Sequence, residues 1–197
     1  MTKGRLEAFS DGVIAILITI MVLELRIAHG ERNAAAGSFA ALTGIGHEFL
    51  AYVLSFVYLG IYWNNHHHML HTTDRVNGAV LWANLHLLFW LSLIPATTAW
   101  IGNTHFMALP MATYGVVLLG SAIAYVTLQR AIIRLQGPGS ALAAAVGRDQ
   151  KGWISLCAYT AAVPLAFVSS WIAGGLYLVV TLIWLVPDRR IEKQLRH

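Results

Sequence analysis

The chain has 197 residues, of which 57% are hydrophobic and only 11% charged, against roughly a quarter charged in a soluble domain. The net charge of +4 sits on Lys and Arg residues that stand singly at the ends of apolar runs. No basic stripe forms, which argues against nucleic-acid binding. Several runs reach the length of about 20 residues needed to cross a hydrocarbon core roughly 30 Å thick, so the lipid bilayer is the expected surrounding.

In chain order, an all-α integral membrane fold with six transmembrane helices is expected, forming one domain over 1–197 with spans at 4–27, 42–70, 76–101, 106–135, 153–168 and 171–186. The first run follows Lys3 and Arg5, and Ala34-Ala35-Ala36 mimics a cleavage site. Asp11 within the run and Glu24 and Arg26 at its end are foreign to a signal peptide, so the segment reads as a membrane helix. Near the outer end of the second span, His47 and Glu48 either line a vestibule or sit at the headgroups. Pro95 and Pro164 fall inside the third and fifth spans, where kinks rather than breaks are expected because neighbouring helices can satisfy the freed carbonyls. Residues 137–147, GPGSALAAAVG, read as a flexible connector. The last two spans are short and joined only by Ser169 and Ser170, the pattern of a tight helical hairpin. Cys157 stands alone in an apolar stretch; it reads as a small buried residue and supports neither a disulfide nor a cysteine metal site.

Charge sets the orientation. Lys3, Arg5, Arg75, Arg130, Arg134, Arg148, Lys151, Arg189, Arg190, Lys193 and Arg196 fall on the side of the termini in a six-span arrangement, and only Arg26 and Arg32 on the other. The expectation is a multi-pass protein of the cell membrane with both termini cytoplasmic. Tyr62, Trp63, Trp100, Trp153 and Trp171 lie near span ends, as interfacial anchors do.

The first helix concentrates polar residues at its start. An ionisable group within a span is costly in lipid, so Asp11 is expected to face protein or water. On a 3.6-residue period Gly12, Ile16, Ile20, Leu23 and Ile27 form one stripe, with Thr19 at its edge and Arg5 and Phe9 extending it, while Ser10 and Asp11 point elsewhere. Periodicity leaves two readings of the stripe: an ordinary packing face, or a face turned to a symmetry axis between subunits.

Arg5 with Phe9-Ser10-Asp11-Gly12, followed by Ala15-Ile16, Thr19, Leu23 and Glu24, resembles the R-x-x-x-F-S-D signature of the transmembrane protein 175 family of lysosomal and bacterial potassium channels. Tyr52, Leu54-Ser55-Phe56 and Tyr62-Trp63-Asn64-Asn65-His66-His67 resemble the family's second span, and Asn84, Leu88, Leu91 and Pro95 its third. The later spans agree only in number and hydrophobicity. What the resemblance implies is a six-span subunit of a homotetramer whose first helix lines a central pore passing potassium and other monovalent cations. One copy of the signature per chain calls for four subunits, where larger relatives carry two repeats. On this reading Ile16, Ile20 and Leu23 form the pore constriction, with Gly12, Thr19 and Ile27 beside it. Arg5, Phe9, Ser10, Asp11, Trp63, His66 and Asn84 form a structural polar network, in which Ser10 and Asp11 bond with His66, Trp63 or Asn84 of the same subunit.

No TVGYG-type filter loop is present, Thr113-Tyr114-Gly115 being only a fragment of one. Stacked apolar rings would therefore give passive conduction with modest preference for potassium over sodium, and no cofactor is expected beyond the permeant potassium ions. The Thr19 hydroxyl either faces a passing ion or bonds back to the carbonyl of Ala15. His66, His67, His68 and His71 crowd one end of the second span, but the remaining histidines are isolated, so no metal site and no enzyme chemistry are expected. The alternative is a small secondary transporter or proton pathway using Asp11 and the histidine cluster.

Overall fold

The computed structural model describes residues 2–25, 46–147 and 149–185. Ile27, Arg26, Arg32, Arg148 and the basic residues from Arg189 onward lie outside the described residues, so the full charge asymmetry is not laid out in space.

The described residues form helices and no strand. Helix α1 (Lys3–Ile20) runs on as a 3-10 turn, Met21–Glu24. It is followed by α2 (Gly46–His71), α3 (Gly78–Ser92), α4 (Ile94–Asn103), α5 (Ala108–Gln136), α6 (Ala141–Val146), α7 (Gln150–Leu165) and α8 (Ser170–Leu185). Among the described residues, three stretches are both long and apolar enough to cross a membrane: Lys3–Leu23, Gly78–Asn103 and Ala108–Gln136.

The third expected span is divided. Pro95, in the first turn of α4, has no N–H to offer the carbonyl of Leu91, and the Leu93 N–H turns to the Trp90 carbonyl at 3.2 Å instead. The apolar element jogs at Leu93 and continues as α4. Pro164 disturbs little, because α7 ends one residue later. The expected flexible connector contains a helix: the Ser140 side chain caps α6 by accepting from the Ala143 N–H at 3.3 Å, and the alanines propagate the turn. Gly137 (φ 94°) and Gly147 (φ 47°) end α5 and α6 in backbone that other residues rarely adopt.

Helix α5 is the axle of the bundle, packing against α3, α4, α7 and α8, while α2 packs against α4 and α8. Close approach is made possible by missing side chains: a Cβ on Gly120 would stand 2.4 Å from the Trp90 ring. Four buried tyrosines tie the helices together. The Tyr58 hydroxyl donates to the Tyr177 carbonyl at 2.6 Å, Tyr159 donates to the Tyr58 oxygen at 3.3 Å, Tyr177 donates to the Met111 carbonyl at 2.9 Å, and Tyr114 shares a 2.8 Å bond with Ser55. Cys157 is exposed rather than buried, because α7 turns Gly152, Ser155, Tyr159 and Ala162 inward and position 157 falls on the opposite face.

Candidate functional site on the first helix

Helix α1 lies against α2 and α3, and its 3-10 extension against α2 and α4. Leu6, Ser10, Ile14, Leu17 and Met21, spaced by three and four, are buried along one side. Phe9, Gly12, Ala15, Ile16, Thr19, Ile20, Val22 and Leu23 are exposed. Ile16 is 61% and Leu23 72% exposed, so these large apolar side chains are mostly uncovered by their own chain. The bare face is wider than the expected stripe, since Ala8 and Val22 share it.

The buried side is pinned near its start by a chain of hydrogen bonds across three helices. Ser10 Oγ donates to the Leu6 carbonyl at 2.9 Å and accepts from Asn84 Nδ2 on α3, also at 2.9 Å. Asn84 Oδ1 lies 2.7 Å from His66 Nε2 on α2. Because that oxygen can only accept, His66 must carry its proton on Nε2, which leaves Nδ1 as a buried acceptor without a partner. Ser10, His66 and Asn84 are all fully buried. At the rim of the same contact, Trp63 Nε1 donates to Asp11 Oδ1 at 3.0 Å.

Five of the residues expected in this network, Ser10, Asp11, Trp63, His66 and Asn84, thus meet in one place. Arg5 and Phe9 do not join them: a helix that turns Leu6 and Ser10 inward carries positions 5 and 9 outward, and both are exposed. Thr19 Oγ1 bonds back to the carbonyls of Ala15 and Ile16, each at 3.0 Å, so its proton is already committed. Ile27 lies outside the described residues.

Two contacts at this end were not expected from sequence. Lys3 Nζ donates to the His71 carbonyl at 2.9 Å, closing the end of α2 against the start of α1. His67 Nδ1 lies 3.5 Å from Glu7 Oε1, and its ring stacks between those of Trp63 and His71. Glu7 one turn before Asp11 was the readable signal for an α1–α2 charge contact. The histidines stack rather than converge, and among the described residues no group of three or more potential ligands could hold a metal ion. At the opposite end His47 is exposed and packs against His105 and Phe106. The chain has Trp153 and Trp171 exposed at helix starts, whereas Tyr62 turns inward against Tyr125.

Apolar helices, a buried polar knot on one side of α1 and a bare apolar face on the other define a helical membrane protein whose first helix is left open to a further surface. Residues 5–95 match the family described as the endosomal/lysosomal potassium channel TMEM175. The chain is 55% identical over 196 residues to a potassium channel of Chryseobacterium sp. (strain P1-3), covering 100% of this chain and 99% of that protein. It is 34% identical over 133 residues to a potassium channel of Streptomyces collinus (strain DSM 40733 / Tue 365), covering 64% of this chain and 62% of that one. Its fold matches the crystal structure of a lysosomal potassium-selective channel TMEM175 homolog from Chamaesiphon minutus with a TM-score of 0.82 at 25% identity, over 94% of this chain and 97% of that chain. The chain belongs to the TMEM175 family of ion channels.

Proposed function

We propose that the protein is a potassium-permeable cation channel of the cell membrane, formed by four copies of this chain with the bare face of α1 turned to the central axis. The observation that carries this reading is the division of α1 itself, with Leu6, Ser10, Ile14, Leu17 and Met21 committed to the subunit and Ile16, Ile20 and Leu23 left uncovered. Its potassium-channel relatives support the choice of permeant ion. Four copies of Ile16, Ile20 and Leu23 make stacked apolar rings, with Gly12, Thr19 and Ile27 beside them. A narrow apolar ring resists wetting and sets the barrier to conduction, and without a carbonyl filter it separates potassium from sodium only modestly. Six spans per subunit and cytoplasmic termini complete the arrangement. The Ser10–Asn84–His66 and Trp63–Asp11 bonds hold the lining helix and take no part in conduction.

The test is potassium flux in proteoliposomes under a potassium gradient, with the mass of the purified particle measured in parallel. Ile16→Asn and Leu23→Asn are expected to raise passive flux severalfold or to weaken discrimination against sodium, in a particle of four chains. Unchanged flux and ion preference in both variants sink the constriction. Proton movement in fixed stoichiometry with potassium assigns the chain to coupled transport instead.

A further inference from the structure

Helix α5 carries an arginine where a membrane helix rarely keeps one without a partner. Arg130 lies about 9 Å in from the end of α5 at Gln136. It is exposed, and among the described residues it forms no ion pair. It opens into a groove of about 920 Å³ between α5 and α7, well away from α1. The groove has two characters along its length. Arg130 and Gln129 supply donors at one end, and Ile123, Val126 and Ile154 give it apolar walls. Trp153, 64% exposed, stands at its edge at the first turn of α7. This end of α5 is the end at which α1 begins, because Gln136 Nε2 donates to the Thr72 carbonyl and Lys3 Nζ to the neighbouring His71 carbonyl. Asp149, the one acid in the wall, has Oδ1 accepting from the Gly152 N–H at 2.9 Å and is turned toward the start of α7.

We propose that this groove holds one anionic phospholipid per subunit, its phosphate on Arg130 and an acyl chain along Ile123, Val126 and Ile154. A guanidinium about 9 Å in from the end of a membrane helix reaches the headgroup level, where a phosphodiester matches its fork of donors. Apolar walls leading away from the cation suit a chain covalently joined to that anion, which a free phosphate lacks. A zwitterionic lipid fits the same walls, but its own cation competes for the phosphate. Basic pockets between membrane helices select anionic headgroups for this reason. The site is independent of the pore and does not depend on how α1 conducts.

The experiment is native mass spectrometry of the detergent-purified assembly with phosphatidylglycerol or phosphatidylcholine of identical acyl chains, and separately with inorganic phosphate. Phosphatidylglycerol is expected to be retained about fivefold better than phosphatidylcholine, the factor one interfacial cation contributes. Arg130→Gln should abolish that preference while leaving phosphatidylcholine retention unchanged, and Arg130→Lys should restore most of it. Ile123→Trp, which fills the groove without altering charge, should lower retention of both lipids. Arg134→Gln, one turn further along α5, is the control and should behave as wild type. Equal retention of the two lipids, or equal loss in Arg134→Gln and Arg130→Gln, overturns the proposal. Displacement of phosphatidylglycerol by millimolar inorganic phosphate assigns the site to a free anion. Failure to retain either lipid means that protein covers the groove; both results also overturn it.

Discussion

Asn84→Leu tests whether α1 is fastened to the subunit through its polar knot. Leucine has nearly the shape of asparagine, so the change removes hydrogen bonds without opening a large cavity. Two are lost, Asn84 Nδ2 to Ser10 Oγ at 2.9 Å and His66 Nε2 to Asn84 Oδ1 at 2.7 Å. Interhelical hydrogen bonds in membrane proteins contribute about 0.6 kcal/mol on average and about 1.7 at most. The loss therefore costs about 1–3 kcal/mol, with the upper end set by leaving the His66 N–H buried and unpaired. For a chain of this size that lowers the unfolding midpoint by about 2–12 °C. Ser10→Ala removes one interhelical bond, from Asn84, and a back-bond to the Leu6 carbonyl within α1, and should cost less than Asn84→Leu. The two substitutions act on the same bond, so their double mutant should fall short of additivity by about 0.5–1.5 kcal/mol. Thermal unfolding of the detergent-purified assembly, followed by tryptophan fluorescence, measures all three variants. An Asn84→Leu protein as stable as wild type, or strict additivity with Ser10→Ala, would refute the argument that this chain of bonds holds α1.

Other substitutions separate packing from conduction. Gly120→Ala places a methyl group within 2.4–2.6 Å of three Trp90 ring atoms, and a rigid ring between two helices cannot yield cheaply. A loss of about 1–3 kcal/mol is expected by thermal unfolding, whereas Gly60→Ala, with nothing within 4 Å of its new Cβ, should be neutral or slightly stabilising. Tyr58→Phe removes a 2.6 Å bond to the Tyr177 carbonyl and the acceptor used by Tyr159, which should lower stability by about 1–2 kcal/mol while leaving ion preference unchanged in the flux assay. Ile16→Asn and Leu23→Asn should unfold within about 0.5 kcal/mol of wild type in the same assay, because both side chains are mostly exposed in their own chain.

Much of the first half of the chain was legible because its signals are local. Helical spacing sets Ser10 and Asp11 apart from the stripe of Ile16, Ile20 and Leu23, and the family resemblance implied that they bond with His66, Trp63 or Asn84; spacing alone did not single out Ile14 and Leu17 as buried. Residues that face outward in a single chain were harder to assign. Arg5 and Phe9 belong to the family signature yet stand outside the knot, since a signature does not say which face each of its members serves. The jog at Leu93 was signalled by Pro95, but the size of the disturbance depends on how Leu93 redirects its N–H. In 137–147 the flanking glycines masked a helix that Ser140 and the alanines spell out. The tyrosine cluster had no local signature: Tyr58 and Tyr177 are 119 positions apart, and nothing near either names the other.

Along α1, the side chains that fasten the helix and those left bare alternate within a single turn. Leu6, Ser10, Ile14, Leu17 and Met21 answer to the fold of one chain, and Gly12, Ile16, Ile20 and Leu23 answer to whatever lies across the uncovered face. Two selective demands are thereby written on one segment without sharing residues. Variation in the second set leaves the first intact, so a lineage or an engineer can rewrite that surface, widening it, charging it or giving it hydroxyls, while inheriting an unchanged subunit beneath it.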